Sequence, residues 1–325
     1  MNEPISLADI EAARDRIAGY IQPLRITPSQ VLSERFESEI LLAHEYLQTT
    51  GAFKLRGAMN SILQLAPGTT GVTAVSTGNH GRGLAYSARA VGVPCVICMS
   101  RLVPQNKLDG IRALGAETRI VGRSQDEAEV EARRLVEEEG FTMIPPFDHP
   151  HVIAGQGTLG LEMLEQVSDV DTVLVQLSGG GLISGIALAI KSQKPDVRIV
   201  GVCMERGAAM AASQQAGKPV EVEELETLAD ALGGGIGLDN RWTFDMVRDL
   251  VDEIVLLDEN EIAEGIRHAY FHEQAVIEGS GAVGIAALLA NKVKPGNKTI
   301  VLLSGRNIDM ESHRSIINGE NQFYG

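Results

Sequence analysis

Short apolar runs alternate with longer, charged, amphipathic stretches along nearly the whole chain. The spacing predicts strands over residues 71–76, 94–99 and 117–121, separated by helices over 82–90, 107–114 and 124–139. A second series follows, with strands over 172–176, 198–202, 253–257 and 299–303 and helices over 182–192, 208–216, 259–273 and 281–290. Strands that alternate with helices predict an α/β protein, because a parallel strand pair needs a crossover long enough to hold a helix. The segment Ile144-Pro145-Pro146-Phe147-Asp148-His149-Pro150 separates the two series and reads as a crossing between domains. No internal repeat or low-complexity tract interrupts the pattern.

The bulk properties narrow the partners. At 325 residues and 44% hydrophobic content the chain can bury two cores or one large one. No apolar run approaches the roughly 20 residues that span a bilayer, and the start, Met1-Asn2-Glu3-Pro4, does not read as a signal peptide. A net charge of −15 argues against nucleic acid or an anionic membrane as partner. Three cysteines suit a reduced, cytoplasmic setting. Cys95 and Cys98 form a C-x-x-C inside a strand-like run, with no second ligand pair nearby, so they read as core thiols rather than a zinc site. His268 and His272 share a helix face without the glutamate of a metalloprotease motif, and residues 221–226 are an acidic run; both read as solvated surface.

Four segments carry candidate chemistry. In Thr49-Thr50-Gly51-Ala52-Phe53-Lys54-Leu55 a lysine sits in apolar company. Desolvation there lowers an ammonium pKa, and a neutral amine can form a Schiff base with an aldehyde. A lysine that snorkels to solvent is the ordinary alternative. Ser178-Gly179-Gly180-Gly181-Leu182 links a strand to a helix, and its backbone N–H groups could gather on a phosphate. No Lys-Ser/Thr follows, so a nucleotide P-loop is not expected. Gly179, Gly181 and the later Glu205 also fit part of a dinucleotide fingerprint, although Ser184 holds its third glycine position. Ser76-Thr77-Gly78-Asn79-His80 is a strand end feeding a helix, suited to a carboxylate or to simple capping. Ser304, in Ser304-Gly305-Arg306-Asn307, ends the last apolar strand, at the edge of a parallel sheet where ligands bind.

Taken in order, these segments resemble the fold type II pyridoxal-phosphate enzymes, within them the threonine/serine dehydratase group, and most closely the dehydratases of hydroxyectoine utilisation. Pro104, Lys107, Leu114-Gly115-Ala116-Glu117, Gly155-Gln156-Gly157-Thr158 and Glu278-Gly279-Ser280-Gly281 extend the resemblance over nearly the whole chain. It implies two open, twisted, mostly parallel sheets flanked by helices, as in tryptophan synthase β. Residues 1–45 and 151–325 would form the large cofactor-binding domain and residues 46–150 a smaller inserted one. The cofactor implied is pyridoxal 5'-phosphate, with Lys54 as its Schiff-base lysine and catalytic base, beside Phe53. The phosphate would rest on Ser178, Gly179, Gly180, Gly181 and Leu182, the phenolic oxygen on Asn79 and the pyridine nitrogen on Ser304. Ser76, Thr77, Gly78 and His80 would take the substrate carboxylate.

The activity implied is elimination of water from a β-hydroxy amino acid such as threonine, serine or a hydroxyectoine-derived amino acid, through an aminoacrylate-type species that yields a 2-oxo acid and ammonia. A serine hydroxyl at the pyridine nitrogen leaves the ring a weaker electron sink and favours prompt loss of the β-substituent. A β-replacement transferase of the cysteine synthase kind, an amino-acid racemase and a nicotinamide-dependent oxidoreductase are the rivals. Thr77 stands where racemases place serine, and its β-branch restricts its rotamers, so little racemisation is expected. Arg306 stands where glycine is frequent; it either binds an anionic group on the substrate or points into solvent. Ala211 opposite Glu205 removes an acidic ligand, so no metal site is expected. Nor does the resemblance imply a C-terminal regulatory domain. Relatives suggest a homodimer.

Overall fold

Among the described residues each strand expected from the alternation is present, and three more join them. The computed structural model describes residues 4–320 apart from 77, 104 and 124. Its strands are β1 (Ile26–Pro28), β2 (Glu39–His44), β3 (Gly71–Val75), β4 (Cys95–Met99), β5 (Glu117–Ile120), β6 (Phe141–Met143), β7 (Thr172–Gln176), β8 (Arg198–Met204), β9 (Glu253–Leu257) and β10 (Lys298–Leu303). They form a six-stranded sheet of order β1-β2-β10-β7-β8-β9 and a four-stranded sheet of order β5-β4-β3-β6. All pairings are parallel except β1 with β2. The larger sheet thus draws strands from both sides of the smaller one in sequence.

The additional elements explain themselves by packing. The Pro150–Gln166 helix starts with proline at its first turn and His149 as N-cap, yet contains Gly155, Gly157 and Gly160. Glycine disfavours an isolated helix by about 1 kcal/mol per residue. Here each is used for close contact. A Cβ on Gly155 would lie 2.7 Å from Gly57 Cα, and one on Gly160 would lie 2.8 Å from Ala189 Cβ. The Lys54–Ile62 helix can therefore lie directly against Pro150–Gln166. Strand β2 pairs with β10 from Glu39↔Lys298 to His44↔Leu303, a partner more than 250 residues away in sequence.

The large sheet and its helices bury one extended apolar core that includes Leu42, Leu174, Ile199 and Leu302. A separate cluster around Val72, Ile97 and Leu84 supports the small sheet. Cys95, Cys98 and Cys203 are free and buried, as core thiols should be. Among the described residues no helix is long and apolar enough to cross a membrane.

Candidate active site

A cavity of about 270 Å³ opens where the carboxyl ends of β3, β7 and β10 converge. Ser76, Ser178 and Ser304, each just beyond one of these strand ends, line it together with Phe53, Lys54, Gly78, Asn79, His80, Gly179, Gly180, Gly181 and Leu182. Segments separated by more than 200 residues thus meet at one place. Thr77 lies outside the described residues.

Lys54 begins its helix, and the turn before it is stitched to the end of β10. Phe53 N–H donates to Ser304 O at 3.0 Å and Arg306 N–H to Gly51 O at 2.9 Å, while Ala52 bridges Gly305. Gly51 adopts φ +78°, which suits glycine. Behind Lys54, Arg56 is fully buried; it reaches Glu45 through Nε at 2.7 Å and Nη2 at 3.2 Å, Thr158 at 2.9 Å, and Glu162. Burial opposes the Arg56 charge, but Glu45 and Glu162 more than offset it, so the guanidinium stays ionised. The helix that carries Lys54 is therefore locked from beneath.

Lys54 Nζ itself donates to Pro146 O at 2.6 Å and lies 5.2 Å from the Phe53 ring centre. Burial pulls its pKa from 10.5 down to about 8. A carbonyl partner brings no full negative charge to restore it.

Across the cavity the Gly181–Lys191 helix presents an N-terminus with no side-chain cap. Gly180 adopts φ +88°, and a Cβ on Gly179 would fall 2.3 Å from the Phe147 ring. Side chains are excluded from this turn, leaving backbone N–H groups and the positive end of the helix dipole to meet an anion.

The Ser76 hydroxyl accepts from Gly78 N–H at 3.3 Å and Gly81 N–H at 3.1 Å, capping the helix that starts at Asn79. His80 Nε2 bonds to the Ile144 carbonyl at 2.8 Å. Burial, then the nearby Lys54 charge, drives its pKa down to about 3, so the ring is neutral and Nε2 donates. Arg306 is the exception among the expected residues: it is exposed, near Tyr46, and does not line the cavity. Its side chain takes an exposed position, while its backbone N–H is held by the Gly51 carbonyl.

Several lining residues had no role in the sequence reading. Glu278 is buried and accepts from Asn79 Nδ2 at 2.7 Å and from Asn307 N–H at 2.9 Å. Burial, with Asp230 adding to it, raises its pKa to about 7. Lys107 pairs with Asp230 at 2.8 Å, joining the small-sheet side to the large-sheet side at the mouth. A second triglycine, Gly233–Gly235, also lines the cavity. That repeat was visible in sequence, but nothing there tied it to the site.

A buried amine of lowered pKa, an uncapped glycine turn, an amide and a buried serine hydroxyl in one cavity fit an aldehyde-bearing, phosphorylated pyridine.

Comparison with known proteins agrees. The model of the pyridoxal-phosphate dependent enzyme family matches residues 17–305. A threonine dehydratase homologue from Sinorhizobium fredii is 58% identical over 324 residues, spanning 98% of both chains. An L-threonine ammonia-lyase from Thermotoga maritima is 42% identical, spanning 97% of this chain and 78% of that one. The structure of maize serine racemase superposes with TM-score 0.91 at 33% identity, covering 97% of each chain. The chain belongs to the pyridoxal-phosphate dependent enzymes, among the relatives of the threonine dehydratases and ammonia-lyases.

Proposed function

We propose that the protein is a lyase that eliminates water from a β-hydroxy amino acid and releases a 2-oxo acid and ammonia. The observation that carries this reading is Lys54, an amine with pKa about 8, placed in the same cavity as the uncapped Gly179–Gly181 turn. Pyridoxal phosphate, when bound, supplies an electron sink for the bond that breaks at Cα. Lys54 would hold its aldehyde carbon and, once released, take the Cα proton; a pKa near the working pH suits a general base. The backbone N–H groups of Ser178 to Leu182 would hold the phosphate, Asn79 the phenolic oxygen and Ser304 the pyridine nitrogen. Ser304 is a hydroxyl and adds no charge there, so it would not need to protonate the ring nitrogen and would favour elimination.

Ser76, Thr77, Gly78 and the neutral His80 would take the substrate carboxylate. In the same reading residues 1–45 and 151–325 form the cofactor-binding domain and 46–150 the inserted one. The partition of strands between the two sheets supports that division. A hydroxyectoine-derived substrate and a homodimer, which rest on the sequence resemblance, and a cytoplasmic location, which rests on the cysteine usage, complete the proposal. Ammonia and 2-oxo acid release would be measured with L-threonine, L-serine, 3-hydroxyaspartate and hydroxyectoine breakdown products. Borohydride reduction of the cofactor-loaded protein followed by peptide mapping tests the site directly. An unmodified Lys54 sinks the proposal.

A further inference from the structure

A hydrogen-bonded relay runs along one wall of the cavity. Asn307 Nδ2 donates to the Thr50 carbonyl at 2.9 Å and to Asn79 Oδ1 at 2.6 Å. Asn79 Nδ2 donates to Glu278 Oε1 at 2.7 Å, and Asn307 N–H donates to Glu278 Oε2 at 2.9 Å. The direction of this relay is imposed from both ends. A backbone carbonyl can only accept, so Asn307 must turn Nδ2 toward Thr50. An ionised carboxylate can only accept, so Asn79 must turn Nδ2 toward Glu278. Both anchors demand the same orientation of Asn79. Its Nδ2 has two hydrogens, of which Glu278 takes one, and the other remains for the cavity that Asn79 lines.

We propose that Glu278 is a positioning residue that fixes the Asn79 amide so that an N–H, and not a carbonyl oxygen, meets the phenolic oxygen of the cofactor. This role rests on the pyridoxal-phosphate reading above. With the amide reversed, two oxygens would face each other in a buried site, an arrangement that forfeits a hydrogen bond and leaves both acceptors unpaired. Glu278 packs closely on the turn after β10. A Cβ on Gly305 would lie 2.4 Å from Oε1, so the carboxylate lies hard against that glycine. The relay also crosses between the sheets, since Asn79 follows β3 while Glu278 and Asn307 belong to the large-sheet side.

The charges around Glu278 set when the anchor works. Burial and Asp230 raise its pKa to about 7, while the Asn79 and Asn307 donors and Lys107 act the other way. Arg82, which also lines the cavity, senses the Glu278 charge. Above that pKa both carboxylate oxygens accept. Below it one oxygen carries a proton and the anchor on Asn79 weakens.

The test measures pyridoxal-phosphate binding to the full chain by equilibrium dialysis, one pH unit above and one below the Glu278 pKa. Glu278→Gln should weaken binding about tenfold at the higher pH, because a carboxamide cannot accept from both donors. It should also remove the part of the pH dependence that Glu278 supplies, which a purely structural residue would not. Asn307→Asp, at a partly exposed position and so tolerant of change, removes the other anchor and should weaken binding to a similar extent. Added to Asn79→Ala, neither change should weaken binding further, since both act through that amide. Wild-type affinity in Glu278→Gln or in Asn307→Asp overturns the proposal, as do effects that multiply with Asn79→Ala. If the wild-type chain binds no pyridoxal phosphate, the cofactor reading itself fails and this role fails with it.

Discussion

Lys54 Nζ and the Pro146 carbonyl oxygen lie 2.6 Å apart, a contact between residues 92 positions apart in the chain. The Pro145-Pro146 junction thereby aims the amine with a dipole rather than an ion. A neutral amine can still donate to a carbonyl, so the bond survives loss of the proton and leaves the nitrogen lone pair to face the cavity. A carboxylate in the same place would have raised the lysine pKa.

The first prediction concerns that burial. The folded pKa of Lys54, about 8, lies below its ordinary 10.5, so the unfolded chain binds more protons and stability rises with pH between those values. Lys54→Met should abolish lyase activity while stabilising the cofactor-free protein at neutral pH by about 1–2 kcal/mol, the usual exchange of function for stability. The difference should shrink as pH rises past 8. Urea unfolding at a series of pH values checks it, and a destabilised variant at neutral pH would refute it.

Replacing Arg56 should be far more damaging than replacing any surface arginine. Arg56→Met leaves Glu45 fully buried and Glu162 largely buried without their cation. Breaking such a buried network costs about 3–5 kcal/mol. A loss below about 1 kcal/mol in chemical denaturation, the level of a surface pair, would show that the network does not anchor the Lys54 helix.

The glycine turn should tolerate no side chain. Gly180→Ala places a methyl 2.9 Å from Met210 Cε and Thr243 Cβ in a backbone with φ +88°. The expected effect is about 1–3 kcal/mol of strain, with weaker phosphate-dependent cofactor binding. Affinity for pyridoxal compared with pyridoxal phosphate separates the two effects: only the phosphorylated form should lose affinity specifically.

Arg306→Gly should change little. The side chain is exposed and outside the cavity lining, so kcat/KM for neutral and acidic β-hydroxy amino acids should stay within about twofold, the range of ordinary surface substitutions. A selective loss with acidic substrates would place Arg306 at the site after all.

The local pattern alone was enough to locate β7 and β9 to the residue, Thr172–Gln176 and Glu253–Leu257, since apolar runs bounded by turns report directly on burial. It also marked Lys54, Asn79, the Gly179–Gly181 turn and Ser304, because unusual residue types at strand ends leave a local trace. Tertiary structure decided the rest. The Pro150–Gln166 helix looks unfavourable by propensity and exists because its glycines meet Gly57 and Ala189. Strand β2 needed β10, far along the chain, before its hydrogen bonds had partners. Glu278 and Asn307 acquire meaning from Asn79 and Thr50, and the exposure of Arg306, which the sequence left open between two placements, is set by the fold. Hydrophobic periodicity is encoded between neighbours in sequence, whereas the direction of a hydrogen bond and the exposure of one side chain depend on groups that only folding brings together.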